Sequence, residues 1–350
     1  MRVLQVMSSD DRRGAETFAR QLGVALRGLG LQVDDVALAA SGAAEPQPFT
    51  VLGPGRRDPR TWAALARAVR GHDVVVAHGG TTLQPVAAVA LATGRPFVYR
   101  NIGDPEFWGR NRGAGIRVGL PLRMAAAVMA LYPTAAGYLR RRYRLRPDRV
   151  VVTANAVDTT VFRRRTEADR TAGRTQLGLD DSDTVVGYLG ALSPEKDPLA
   201  AVDAVRDTPG VHLVVAGAGP LEGDLRRHAE RCRTRLTLLG QVTDPRSFLD
   251  ALDVLVIPSR TEGVPGTLLE AAAVGVPVAA TDVGGVGDVV RDLGAGIVVP
   301  AGDSTALSGA TARLLADPSL GLAAVSAVVE RHDVDAIARQ WADVLRSVSR

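Results

Sequence analysis

The sequence holds one cysteine, Cys232, in 350 residues. That excludes a disulfide framework and a cysteine metal cluster, and makes a reducing cytoplasm the compartment to expect. Lysine is as scarce: of 42 basic residues all are arginine except Lys196. Aromatic residues make up 4%, and no basic strand is interleaved with them, which argues against nucleic acid as a partner. No apolar window reaches the length of a membrane span; the nearest, Gly115 to Tyr132, contains Arg117 and Arg123. The opening run Met1 to Met7 is too short for a signal h-region and passes at once into Ser8-Ser9-Asp10-Asp11. Neither a leader nor a span is expected.

What is present is ordinary globular material, 46% hydrophobic and 23% charged, long enough for about two domains. The net charge of +4 conceals an asymmetry: residues 1–165 carry 25 arginines against 12 acids, and the remainder 17 basic residues against 26 acids. A basic first half could face an anionic acceptor or lie against the inner face of an anionic membrane.

Short Val-rich runs alternate with helical patterns. The first half gives strands at 2–7, 32–38, 73–77, 96–100, 127–131 and 149–153, with helices near 15–29, 60–70, 81–92, 115–125 and 134–143. The second gives strands at 184–189, 211–216, 235–239, 253–257, 277–280 and 296–299. Its helices lie near 197–206, 220–233, 245–251, 266–274, 286–291 and 304–316. This alternation predicts an α/β fold of two doubly wound parallel sheets, each covered on both faces. The polar stretch 160–183 lacks an apolar period and reads as the break, so the expected domains are 1–165 and 166–333. A last helix, 334–349, carries Ile337, Trp341, Val344 and Leu345 on one stripe and is expected to pack back on the first domain. Ligands bind such sheets at the carboxyl ends of strands, where the motifs lie.

Lys196 stands six residues after Gly190, past a strand and a glycine turn. A compact ammonium beside a helix start suits a phosphate; the alternative is a chance surface lysine. The fullest constellation is Pro258-Ser259-Arg260-Thr261-Glu262-Gly263-Val264-Pro265-Gly266-Thr267-Leu268-Leu269-Glu270, after the strand ending at Ile257. Gly266 and Thr267 open a helix whose free N–H groups attract a phosphate. Glu262 and Glu270 bracket that helix start, which makes sense if a sugar and a ribose flank a diphosphate.

This stretch resembles the E-x7-E motif of retaining glycosyltransferase family 4, whose fold is GT-B. Gly190 to Lys196 resembles the family's glycine-lysine loop, Gly217-Ala218-Gly219-Pro220 its G-x-G-P turn, and Leu238-Leu239-Gly240 its next strand end. Thr281 to Gly285 is similar to the loop after its following strand, Asn155-Ala156-Val157-Asp158 to its N-G-V-D segment, and Gly14-Ala15-Glu16 to its first loop. The resemblance implies a metal-independent, cofactor-free hexosyl transfer from a UDP- or GDP-sugar to the hydroxyl of a glycan, a lipid-linked acceptor or a small molecule. Lys196 would neutralise the donor diphosphate, Glu262 hold the sugar, Glu270 hold the ribose, and the backbone of Gly190, Gly217, Gly263, Val264, Pro265, Gly266 and Thr267 line the donor. Lys196 and Glu262 would be the catalytic pair. No Asp-x-Asp metal motif stands at a strand end; Asp181-Ser182-Asp183 falls in the break.

The sequence departs from the family pattern at four places, the mildest being Ala156 where the N-G-V-D segment has its glycine. Ala191 stands where an arginine often follows the loop glycine, leaving Arg260 or a first-domain arginine to substitute. Arg13 replaces the first glycine of the first loop, so Arg12, Arg13 and Gly14 could carry charge toward an acceptor or the diphosphate. Ile102 occupies the place of a histidine, leaving Asn101 or Asp104 as substitutes. His78, at a strand end, is either a cleft residue or a packed one, and Trp108 either lines the acceptor side or anchors a loop. Two other functions stay open at this level: a catalytically idle nucleotide-sugar binder or complex subunit, and an epimerase of the same fold.

Overall fold

A computed structural model describes residues 1–43, 45–109 and 114–349; the side chains of Trp108 and residues 114–116 lie outside the described set. The chain divides into two compact units, Met1–Ala156 with Val334–Arg350, and Val157–Asp333.

Unit 1 holds seven parallel strands: β1 Arg2–Ser9, β2 Gln32–Ala39, β3 Thr50–Val51, β4 Val74–His78, β5 Phe97–Arg100, β6 Ala127–Ala130 and β7 Val150–Val152, in the order β3-β2-β1-β4-β5-β6-β7. Helices α1 Gly14–Gly28, α2 Pro59–Arg70, α3 Gly80–Thr93, α4 Pro105–Trp108, α5 Ala114–Met124 and α6 Pro133–Tyr143 connect them. The two-residue edge strand β3 and the single turn α4 are too short to show a period, which is why no pattern marks them.

Unit 2 holds β8 Thr184–Leu189, β9 Val211–Ala216, β10 Arg235–Gly240, β11 Val254–Ile257, β12 Val278–Thr281 and β13 Gly296–Val299, in the order β10-β9-β8-β11-β12-β13. Its helices are α7 Glu167–Gln176, α8 Pro198–Asp203, α9 Glu222–Cys232, α10 Pro245–Asp250, α11 Gly266–Val274, α12 Val286–Leu293, α13 Ser304–Ala316 and α14 Ala324–His332. Both sheets reverse direction beside their first strand, and each reversal opens a crevice at the carboxyl ends of the strands. Among the described residues no single helix is long and apolar enough to cross a membrane.

The stretch expected to be a linker belongs to unit 2. Val157 donates its N–H to the carbonyl of His332, 2.9 Å, and Arg246 Nη1 reaches the carbonyls of Val161 at 2.8 Å and Arg163 at 2.6 Å. The boundary therefore falls at 156/157 rather than 165/166. Residues 167–176 form α7, closed by a capping box in which Thr166 and Asp169 satisfy each other's backbone N–H. Its period is hidden because an arginine fills the apolar slot. Arg174 is 0% exposed. Its guanidinium donates to the carbonyls of Ala251, Asp180, Asp181 and Asp183 and pairs with Asp253 at 2.9 Å. A buried cation is tolerable only when so fully partnered.

Helix α15, Val334–Val348, returns to unit 1. Ile337, Ala338, Trp341 and Leu345 enter one core with Phe18, Leu22 and Leu26 of α1. Trp341 is tilted against Phe18, ring centroids 6.5 Å apart, and stacked on His78 at 6.3 Å. Trp341→Ala should lower the stability of unit 1 by about 3–5 kcal/mol, seen as an earlier first transition in urea unfolding. An unchanged first transition would show that α15 is dispensable to that core.

Candidate active site

In unit 2 the reversal lies between β8 and β11, which pair Val254 with Val186 and Leu255 with Gly187. The loops leaving these strands therefore meet, although they are far apart in sequence. Lys196, on the loop after β8, hydrogen-bonds Oε1 of Glu262, on the loop after β11. Ser259 Oγ donates to the same oxygen, 2.9 Å, and Thr281 Oγ1 donates to the carbonyl of Ser259, 2.5 Å. Two more bonds stitch the loops: the Arg260 N–H to the Glu195 carbonyl, 2.8 Å, and Arg260 Nε to Asp197 Oδ2, 2.8 Å. The Glu262 side chain is 9% exposed and that of Lys196 30%, so the pair is half-desolvated but reachable.

Two glycines set the close approaches behind this pair. Gly217, at φ +146°, lies so near the end of β8 that a Cβ would overlap the Gly190 carbonyl oxygen. Gly284, at φ +56°, does the same against the carbonyl of Glu262, while the Gly285 N–H donates to the Gly263 carbonyl, 2.9 Å. A side chain at either position would displace a loop that carries Lys196 or Glu262. Gly217 thus serves the site by packing the loops. Tyr188 donates its hydroxyl to the Ala191 carbonyl, 2.7 Å. Burial, and then the charges of Glu262 and neighbouring acids, push its phenol far above the usual range, so it stays protonated.

Helix α11 begins at Gly266 with Pro265 in the cap position and no side chain capping it. Its Leu268 N–H turns back to the Pro265 carbonyl, 3.2 Å; among the described residues no side chain caps the N–H groups of Gly266 and Thr267, and the helix dipole favours an anion there. Glu270 stands one turn in, its carboxylate folded toward Gly266: a Cβ on that glycine would lie 3.6 Å from Oε1. Burial alone pushes the Glu270 carboxyl up to about 7. No cation or hydrogen bond offsets that burial. Val264 and Gly263 lie buried beneath the helix start, and Thr267 is half-exposed on it.

The candidates in unit 1 divide differently. Arg12 pairs with Glu45 at 2.8 Å and Arg13 with Asp11 at 2.7 Å, both on the surface. Arg13 is the N-cap of α1 without a side-chain cap, and Gly14 opens into free space. His78 is the packed histidine rather than a cleft residue. It is 3% exposed, with Nε2 2.9 Å from Gln5 Oε1 and Nδ1 3.4 Å from Arg100 Nη1. Gln5 Oε1 can only accept and Arg100 can only donate, so the proton sits on Nε2. Burial, reinforced by Arg100, holds the ring neutral. Asn101 is buried and ties Nδ2 to the Gly103 carbonyl, 2.7 Å, while Asp104 caps α4 by accepting the Glu106 N–H, 2.9 Å. Both have local structural duties. Ile102, after β5, packs over the end of the neighbouring β4, where a Cβ on Gly79 would lie 2.6 Å from its Cδ1. Trp108 cannot be placed, since its side chain lies outside the described residues.

Three residues of the site carry no recognisable signal on their own: Ser259, which orients Glu262; Tyr188, which pins the loop after Gly190; and Asp197, which holds Arg260. Their roles arise from partners brought near by the sheet. An acid raised from 4.5 unfolded to about 7 folded takes up a proton on folding between those values. Stability from this group is therefore lost as pH rises from about 4.5 to about 7 and is flat above. Glu270→Gln should flatten that slope and melt above the parent at pH 8, as read by thermal unfolding across pH 5–8; parallel curves would refute the burial of this carboxyl.

Comparison with known proteins agrees with this geometry. Residues 12–161 match the family model described as Glycosyltransferase Family 4, and residues 183–317 the one described as Glycosyl transferases group 1. The D-inositol 3-phosphate glycosyltransferase of Segniliparus rotundus is 32% identical over 257 residues, 70% of this chain and 54% of that protein. The alpha-D-kanosaminyltransferase of Streptomyces kanamyceticus is 33% identical over 207 residues, 57% of this chain and 53% of that one. The chain thus spans about half the length of the curated relatives it matches. Among solved structures, Anabaena HepE in complex with UDP-glucose superposes with a TM-score of 0.86 at 23% identity, over 99% of this chain and 100% of that one. Sucrose-phosphate synthase from Thermosynechococcus elongatus gives 0.83 at 21%, over 99% of each. At such identity these two show the fold, a pair of parallel-sheet domains of GT-B type. Two sheets of this order, two family models that between them take in most of the chain, and the named relatives lead to one statement: the chain belongs to the family 4 glycosyltransferases.

Proposed function

We propose that the protein transfers a sugar from a nucleotide-diphosphate donor to an acceptor hydroxyl with retention of configuration, and that unit 2 holds the donor. The observation that carries this is the Lys196–Glu262 pair at the sheet reversal, beside the uncapped start of α11. One cation and one helix end converge where a diphosphate could lie, and a carboxylate stands on either side of that helix start. HepE, a structural neighbour, was solved with UDP and with UDP-glucose, which supports a uridine nucleotide as the donor's base. Relatives named for D-inositol 3-phosphate support a small polyhydroxy acceptor.

On this reading the donor phosphates draw the Lys196 ammonium away from Glu262, whose freed oxygen then accepts sugar hydroxyls. Ser259 keeps that carboxylate in place throughout. Arg260, 68% exposed and tethered to Asp197 beside Lys196, supplies the second cation that Ala191 does not. In the transfer step the bond from the anomeric carbon to the phosphate oxygen breaks, and the acceptor oxygen bonds that carbon from the same face. The acceptor proton passes to the leaving phosphate. Lys196 and the α11 dipole stabilise the charge that develops there, so the step calls for no divalent metal. Glu270 takes the ribose hydroxyls. The basic first unit, including the exposed Arg141 and Arg142 in the last turn of α6, is the part offered to an anionic acceptor or to an anionic membrane surface.

A panel of UDP- and GDP-sugars tests the reading through slow donor hydrolysis, which should appear for one of them and quicken with a matching acceptor. Binding with no turnover would leave an idle nucleotide-sugar binder, and a changed donor without an acceptor would indicate an epimerase. Lys196→Ala should weaken nucleoside diphosphate binding at least about tenfold and nucleoside binding hardly at all, because a charge-assisted bond of about 1.5–3 kcal/mol is lost. Equal loss of both would refute the phosphate role. Glu262→Ala should leave nucleotide affinity largely intact while transfer falls by about 100-fold or more.

A further inference from the structure

We propose that Asp203, His228 and Cys232 form a three-ligand site for a divalent cation of the zinc class. His228 and Cys232 are four residues apart on α9, so they share one face of the helix. That face meets the end of α8, where Asp203 stands. One ligand atom from each of the three lies within 4.8 Å of the others, and all three residues are half-buried, so the place is both shaped and open to solvent. His228 Nε2 is already 2.9 Å from Asp203 Oδ1. Two ligand atoms on a tetrahedral zinc ion stand about 3.3 Å apart, so the pair need open only slightly to admit a cation.

The donor set decides the class. Thiolate and imidazole favour zinc and its first-row neighbours over magnesium and calcium, which seek oxygen. Three protein ligands leave a fourth position for water. An imidazole–carboxylate ion pair by itself would explain Asp203 and His228, and Arg206 lies 3.7 Å from the same carboxylate. Cys232, the one thiol in 350 residues, packs against the core of unit 2 and offers the third ligand atom beside that pair. Coordination requires the thiol to lose its proton and the cation to replace the Nε2 proton. The ring proton then moves to Nδ1, where Arg231 Nη2 now sits at 3.2 Å. Arg231 is exposed and must turn aside, so it opposes the ion.

The site is independent of the transferase reading, since none of its residues belongs to the donor constellation. Its consequence is structural. Helix α8 follows the loop of Lys196 and α9 follows the Gly217–Gly219 turn, so the cation would clamp together the two helices that carry those loops.

Cobalt(II) added to the full chain tests it. The expected result is one equivalent bound with the intense visible bands of tetrahedral cobalt and a near-ultraviolet thiolate-to-metal charge-transfer band, both displaced by zinc. Cys232→Ser should lose the charge-transfer band, and His228→Ala should bind at least about tenfold more weakly. Arg231→Ala should bind at least as tightly as the parent. Zinc should raise the melting temperature of the parent but not of Cys232→Ser, whose circular dichroism confirms its fold. A weak octahedral cobalt spectrum that Cys232→Ser leaves unchanged would overturn the proposal.

Discussion

The contact between Lys196 and Glu262 is the constraint around which unit 2 is organised. It joins the loops of two strands that are adjacent only because the sheet reverses between them. Each partner is half-desolvated, so neither charge would be comfortable alone. The cation is thereby held on a carboxylate rather than left exposed. On the proposed reading a donor diphosphate would have to displace Lys196 from one carboxylate oxygen of Glu262. Ser259 and Thr281 hold the Glu262 carboxylate and its loop in place, and the glycines at 217 and 284 let the loops close in the first place.

An arginine-rich sequence also leaves its mark inside the protein. Arg174 fills a helix slot that a leucine would fill elsewhere, and satisfies its donors on four carbonyls and Asp253. Arg100, at the end of β5, is buried with its guanidinium over the ring of Phe18, 3.7 Å from the centroid, and bonded to Asn155 at 2.6 Å. Burial pulls it down to about 9, so it remains a cation at neutral pH and helps keep His78 uncharged. Asn155 and Asp158 also have hydrogen-bond partners. Asn155 grips Arg100, and Asp158 accepts the N–H groups of Thr160 at 3.0 Å and Val161 at 3.3 Å.

The strands were legible because both faces of each sheet are buried, so that β4 and β11 read as valine-rich apolar runs and β9 as one interrupted only by His212. The loops after β8 and β11 stood out because glycine, proline and acid follow those runs at fixed offsets. The failures share one cause, a polar side chain doing an apolar or structural task. Helix α7 has no apolar stripe because Arg174 is its core residue. His78 stands at a strand end like a catalytic residue but is sealed by Trp341, from a helix more than 250 positions away. Asp104 and Asn101 have the chemistry of ligands and are spent on a helix cap and a turn. For His78 and Arg174 the deciding partners, Trp341 and Asp253, are remote in sequence, whereas Asn101 and Asp104 are held by neighbours two residues away.

The return of α15 to the first core has a consequence for biosynthesis. Trp341 and Leu345 complete the packing around Phe18, yet a ribosome makes them only after the whole of unit 2. The first sheet must therefore wait, with its apolar α1 surface uncovered, while the second can close on residues already made. Such a nascent chain would mature out of order, the later-encoded half first, and its period of greatest exposure to chaperones would be set by the time needed to translate the intervening segment.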